Sequence, residues 1–112
     1  MELSDIINKL EISFITGDCN SNIEISGGFC SDLLSDVMGN AREGQIWITI
    51  QVHKNIIAVA SLKDLAAIIL VNDLNPPIET IETANEQGVI ILKTKLSAFE
   101  TAGRLYNLLK NV

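Results

Sequence analysis

The chain switches repeatedly between a helical spacing of apolar residues and short unbroken or alternating apolar runs. Leu3, Ile6, Ile7 and Leu10 share one helical face. Ser4 is a good N-capping residue and Asp5 suits the positive start of a helix, so a first helix is predicted over residues 4–10. Residues 12–16 read as a strand and 17–22 as a turn. Residues 23–26 alternate apolar and polar, as a half-buried strand should. Gly27 and Gly28 then break regularity. A second helix is predicted from Ser31 to about Met38, with Leu34, Val37 and Met38 inward and Gly39-Asn40 or Gly44 as its end.

Ile46 to Ile50, with Trp47 and Thr49, is apolar on both faces, as a central strand covered on both sides would be. Ile56 to Ala60 fits a strand or a helix. The face shared by Ile56, Ile57 and Ala60 favours a helix to about Leu65, with a buried strand following at Ala67 to Val71. Pro76 or Pro77 sits well in a helical first turn, Ile78, Ile81 and Ala84 form that helix's stripe, and Gly88 is its C′ residue. Val89 to Lys93 is the next strand. Ser97 and Glu100 form a capping box that opens a last helix, with Phe99, Ala102, Tyr106 and Leu109 inward. From residue 46 onward strands and helices alternate. That order predicts an α/β fold, a largely parallel sheet with helices packed on its faces. No repeat or linker divides the sequence, so residues 1–112 are read as one domain.

Composition narrows the function. Apolar residues make up 47% of the 112, enough for a real core and too many for a disordered chain. The net charge is −6 and the eight basic residues are scattered singly, which argues against nucleic acid and against an anionic membrane surface as partners. A small anionic ligand stays open. The chain starts without a basic, then apolar, leader, and its longest apolar run, Leu65 to Val71, is far short of the ~20 residues that span a bilayer. The expected location is the cytoplasm. Cys19 and Cys30 are too few for a disulfide framework, and His53 is the single histidine, so no zinc site and no cofactor are expected. The thiols read as structural, with a redox role as the alternative.

The sequence has no GxxxxGK[ST], no GxGxxG and no GxSxG. Asp32 and Asp36, four apart, would share one helical face and fit either a cation or a solvated helix start. Glu79, Glu82 and Glu86 are a solvated face. Gly27 and Gly28 either expose amides to an anion or make a tight connection. Residues 49–55 leave the carboxyl end of a buried strand, where open α/β sheets bind ligands; the bland alternative is a helix-capping loop. If the strands hold, Gly27, Gly28, Ser31, Thr49, Gln51, His53 and Thr94 converge at that edge. Small hydroxyls, glycines and one imidazole suit an anionic or nucleotide-like ligand. The alternative is that these groups merely cap helices. The site reading requires His53 and Ser31 within ~10 Å beside a concavity.

The run from Ile25 to Met38, the run from Trp47 to Ala60 and the strand ending Ile68 to Asn72 resemble the DRTGG domain family over nearly the whole chain. Gly27 and Gly28 keep the end of the family's Asp-Arg-Thr-Gly-Gly string, while Glu24, Ile25 and Ser26 replace the rest, so no role of that Asp or Arg carries over. The resemblance implies a fold like the N-terminal domain of HPr kinase/phosphorylase, without the separate P-loop domain that performs the kinase chemistry. It also implies a regulatory or dimer-forming role, as beside CBS domains in pyrophosphatases, and for stand-alone copies a link to hydrogenase and electron-transfer genes. The expected function is therefore a non-catalytic ligand-sensing module. The alternative is an assembly or scaffold protein that contacts a larger enzyme and binds no small molecule. A homodimer is expected, with Phe29, Leu33 and Leu34 as more apolar surface than one helix face can bury.

Overall fold

The structure, a computed structural model, describes residues 1–18 and 23–110. Its elements in chain order are α1 (Leu3–Lys9), β1 (Ile12–Phe14), β2 (Gly27–Cys30), α2 (Leu34–Asn40), β3 (Gln45–Thr49), α3 (Asn55–Leu62), β4 (Ala67–Leu70), α4 (Ile78–Gln87), β5 (Ile91–Thr94) and α5 (Ala98–Lys110). The sheet order is β1-β5-β4-β3-β2, parallel from β2 to β5, with β1 antiparallel at one edge. The predicted α/β class and largely parallel sheet are what the chain adopts.

Period-2 alternation in the central strands builds two cores. Ile46, Ile48, Ile69 and Leu92 face α1 and α5, while Trp47, Ile68, Leu70 and Ile91 face the layer of α2, α3 and α4. Each crossover from β2 to β5 advances one strand in the same direction, and the fixed hand of such crossovers stacks α2, α3 and α4 on one face. After β5 the chain turns to the other face. The connections leaving β4 and β5 therefore diverge, and no other neighbouring parallel strands do this.

Several expectations are corrected. The first helix is capped at Glu2 rather than Ser4: the Glu2 N–H donates to the Asp5 carboxylate at 3.0 Å. Residues 23–26 do not form the strand. They run beside the start of α1 instead, with Leu3 N–H on the Ile23 carbonyl and Ile25 N–H on the Met1 carbonyl, both at 2.9 Å. The strand is Gly27–Cys30, so the glycine pair lies inside the sheet and not in the connection after it. The reason is packing: a Cβ at Gly28 would stand 3.0 Å from the Leu105 side chain of α5. The second helix begins at Leu34, beyond Ser31 and Asp32, which breaks the predicted Asp32–Asp36 helical pair. Of the predicted turn at 17–22, Gly17 adopts φ +85° and residues 19–22 lie outside the described residues.

Two helical stripes are also rotated. In α4 the buried residues are Thr80 and Ala84 while Ile78 is exposed; Glu79, Glu82 and Glu86 do face solvent. In α5, Thr101 and Leu105 are buried, whereas Phe99 and Tyr106 are 89% and 67% exposed. The Ser97 cap holds: its hydroxyl accepts the Glu100 N–H at 3.1 Å. Gly88 ends α4 at φ +69°, as predicted. Among the described residues no helix is long and apolar enough to cross a membrane.

Candidate functional site

The seven residues expected to converge fall into separate places. Gly27 pairs with Gln45 and Gly28 with Ile46, which puts both glycines in the amino half of β2, at the far side of the sheet from the end of β3. They are thus removed from the carboxyl edge. Ser31, Thr49 and Gln51 do meet there, around Asp32. The Thr49 hydroxyl donates to the Asp32 carboxylate at 2.8 Å, Ile50 N–H donates to the same oxygen at 2.9 Å, and the Gln51 amide donates to the Asp32 carbonyl at 3.0 Å. The Ser31 carbonyl accepts the Trp47 indole N–H at 2.8 Å, and its hydroxyl accepts the Leu33 N–H. Thr49 is only 1% exposed. This cluster clamps the β2–α2 and β3–α3 connections together through one Asp32 carboxylate oxygen and the Asp32 carbonyl.

His53 opens α3: its Nδ1 accepts the Asn55 N–H at 3.2 Å and its carbonyl accepts the Ile56 N–H. Its ring lines a separate groove of about 570 Å³ between α3 and α4, with Ala58, Leu62, Thr83 and Gln87. Thr94 ends β5 and is buried, its hydroxyl accepting the Leu96 N–H.

Thr94 does border a concavity at the carboxyl edge. A hollow of about 460 Å³ lies where the start of β1 meets the end of β5, lined by Glu11 and Ser13 on one side and Lys93, Thr94 and Lys95 on the other, with Asp73 reaching it from the connection after β4. Asn72 and Asp73, at φ +59° and +57°, turn the chain sharply after β4. Their N–H groups donate to the Leu96 and Thr94 carbonyls, which pins the two diverging connections to each other. The Lys93 ammonium lies 3.1 Å from the Asp73 carboxylate and donates to the Asn75 side-chain carbonyl at 2.8 Å. Two cations and a turned loop thus meet at a place where α/β sheets open. Lys95 lies just beyond β5, so strand alternation does not set it beside Lys93, and no local pattern in the sequence marked the pair.

Cys30 is exposed at the end of β2. Burial of part of its surroundings, and then the Asp32 carboxylate, push its thiol pKa up. A reactive thiol needs the opposite, an electropositive setting. Asp36 accepts a hydrogen bond from the Asn40 side chain at 2.8 Å, and among the described residues no cluster of three or more His, Cys, Asp or Glu is placed to hold a metal.

A family model described as the DRTGG domain matches residues 5–108. No curated protein matches the sequence. Among solved structures, the CBS and DRTGG domains of the regulatory region of Clostridium perfringens pyrophosphatase, in complex with its activator diadenosine tetraphosphate, superpose with a TM-score of 0.75 at 20% identity. The match covers 93% of this chain and 45% of that one, so this chain spans less than half of the structure it resembles.

Proposed function

The chain belongs to the DRTGG domain family, and on that premise we propose that it is a regulatory module that senses a nucleotide-like or other phosphate-bearing small molecule and catalyses nothing itself. The observation that carries this reading is the hollow at the carboxyl end of β5, beside the start of β1. Its lining sets two cations, Lys93 and Lys95, against two carboxylates, Glu11 and Asp73, so it is formally neutral and an anion engages the lysines in place of a carboxylate. A bound phosphate competes with Asp73 for the Lys93 ammonium. Because Asp73 belongs to the loop pinned to β5, that exchange would loosen or shift the β4–α4 connection, a change a neighbouring domain can read. The similar regulatory region is complexed with a polyphosphate activator, which supports the ligand class. We place the module in the cytoplasm, where such ligands are abundant.

Thermal unfolding with diadenosine tetraphosphate, ATP, AMP and inorganic phosphate tests the reading. A ligand at 100 times its Kd stabilises the folded state by about 2.7 kcal/mol, which corresponds to roughly 10 °C for a domain of this size. Lys93→Gln with Lys95→Gln should abolish the shift. No shift with any of the four would end the proposal. A second reading, an assembly protein that docks on a larger enzyme, is favoured by Leu33, just before α2, and Ile78, which opens α4, exposed at 64% and 65%. It predicts no ligand shift and loss of complex formation in Leu33→Asp or Ile78→Asp.

A further inference from the structure

We propose that Arg104 of α5 is a third cation of the hollow beside β1, and that the hollow takes a chain of two or more phosphoryl groups in preference to a single phosphate. This rests on the sensing reading and narrows its ligand.

The charges of the hollow are held in two ion pairs. On the side of the β4–α4 connection, the Lys93 ammonium stands 3.1 Å from the Asp73 carboxylate. On the other side, the Glu11 carboxylate, which lines the hollow, stands 4.0 Å from the Arg104 guanidinium. Arg104 thus reaches the hollow through Glu11. Tertiary structure alone makes this neighbourhood. Glu11 lies between α1 and β1, directly before the residue that pairs with Thr94, and α5 shares its face of the sheet with α1.

Both carboxylates are weakly held. The Asp73 and Glu11 side chains are 50% and 73% exposed, and ion pairs at such positions contribute little to stability. Arg104 also lies 3.8 Å from Glu100, one turn earlier on the same helix, which keeps the guanidinium on this flank when Glu11 leaves it.

The exchange of anions is one for one. A phosphate that replaces Asp73 at Lys93 leaves Glu11 on Arg104, and its charge then faces the Glu11 carboxylate across the same hollow. A second phosphoryl group on the same ligand removes that repulsion, because it displaces Glu11 and bonds to Arg104 itself. The planar guanidinium fork matches phosphoryl oxygens two at a time. Lys93, Lys95 and Arg104 then face the ligand together, more positive charge than the roughly −1.5 to −2 of one phosphate group balances. The two displaced carboxylates also serve different parts of the fold. Asp73 belongs to the connection toward α4 and Glu11 to the connection from α1, so only a ligand with two phosphoryl groups releases both.

Titration calorimetry of the full chain with inorganic phosphate and with pyrophosphate, at one ionic strength, tests the proposal. Pyrophosphate should bind at least about tenfold more tightly, the gain that one charge-assisted hydrogen bond supplies. Arg104→Gln, at a half-exposed position and with unchanged circular dichroism, should erase that preference. Glu11→Gln should act in the opposite direction and tighten pyrophosphate binding, a gain that a damaged fold would not give. Equal affinities for the two anions, a preference that survives Arg104→Gln, or no gain in Glu11→Gln overturns this inference and leaves the sensing reading standing on phosphate. Binding of neither anion overturns it too, and the thermal shifts with nucleotides then decide whether the sensing reading stands.

Discussion

The Thr49 hydroxyl, at the carboxyl end of β3, donates a 2.8 Å hydrogen bond to the Asp32 carboxylate, seventeen residues earlier in the β2–α2 connection. The same oxygen also accepts the Ile50 N–H. One carboxylate thus ties two crossover connections together where they leave the sheet. Thr49 is buried, while Asp32 itself faces solvent, so the clamp closes over the Thr49 hydroxyl from outside.

Asp32→Ala should destabilise the domain by about 1–3 kcal/mol, the range for hydrogen bonds made to a charged group. Asp32→Asn keeps a side-chain carbonyl and should cost about 1 kcal/mol or less by the same reasoning. Urea unfolding of the two variants checks the order, and equal stabilities would show that the clamp contributes nothing.

Thr16, just after β1, is held at both ends: its hydroxyl donates to the Val89 carbonyl at 2.7 Å and accepts the Ile91 N–H at 2.8 Å. Thr16→Val conserves shape but orphans a buried N–H, and a loss of about 2–3 kcal/mol is expected. Thr16→Ser keeps the hydroxyl and should lose about 1 kcal/mol through the missing methyl. Thermal melts of the pair decide it.

Gly44 and Gly88 both have positive φ, but in different surroundings. A Cβ at Gly88 meets nothing within 4 Å, while one at Gly44 falls 2.9 Å from the Ser26 hydroxyl, which donates to the Glu43 carbonyl at 2.7 Å. Gly88→Ala should cost about 1–2 kcal/mol of backbone strain. Gly44→Ala adds a steric conflict on top of that strain, so its melting temperature should fall further; the reverse order would contradict the packing described.

Cys30 should alkylate with its midpoint at higher pH in the folded chain than in urea, measured in a Cys19→Ser background. Its folded pKa is raised, first by burial and then by Asp32. The sign follows: stability tied to this thiol is complete below the unfolded pKa and is lost as pH rises toward the folded one. A folded midpoint at or below that in urea would refute it.

The strand–helix alternation from residue 46 was legible because those strands are buried on both faces, and nothing but continuous apolar runs such as Ile46 to Thr49 and Ala67 to Leu70 satisfies that. The helix ends at Ser97 and Gly88 were legible because capping is a local affair of a few residues. The start of β2 was not. Residues 23–26 have the alternation of a strand, yet the contacts they find are with the start of α1, more than twenty residues away, and Gly27–Cys30 enters the sheet because α5 needs a residue without a side chain beneath Leu105. The scattering of the predicted site has the same origin. Alternation along one segment says which side chains share a face, but which end of the sheet Gly28 occupies depends on its pairing with Ile46. That Lys93 and Lys95 border a hollow depends on β1 pairing with β5, eighty residues away in the chain. Composition and local periodicity determined the class and most elements of this chain; register and the choice of face, set by contacts between distant segments, decided where a ligand can meet it.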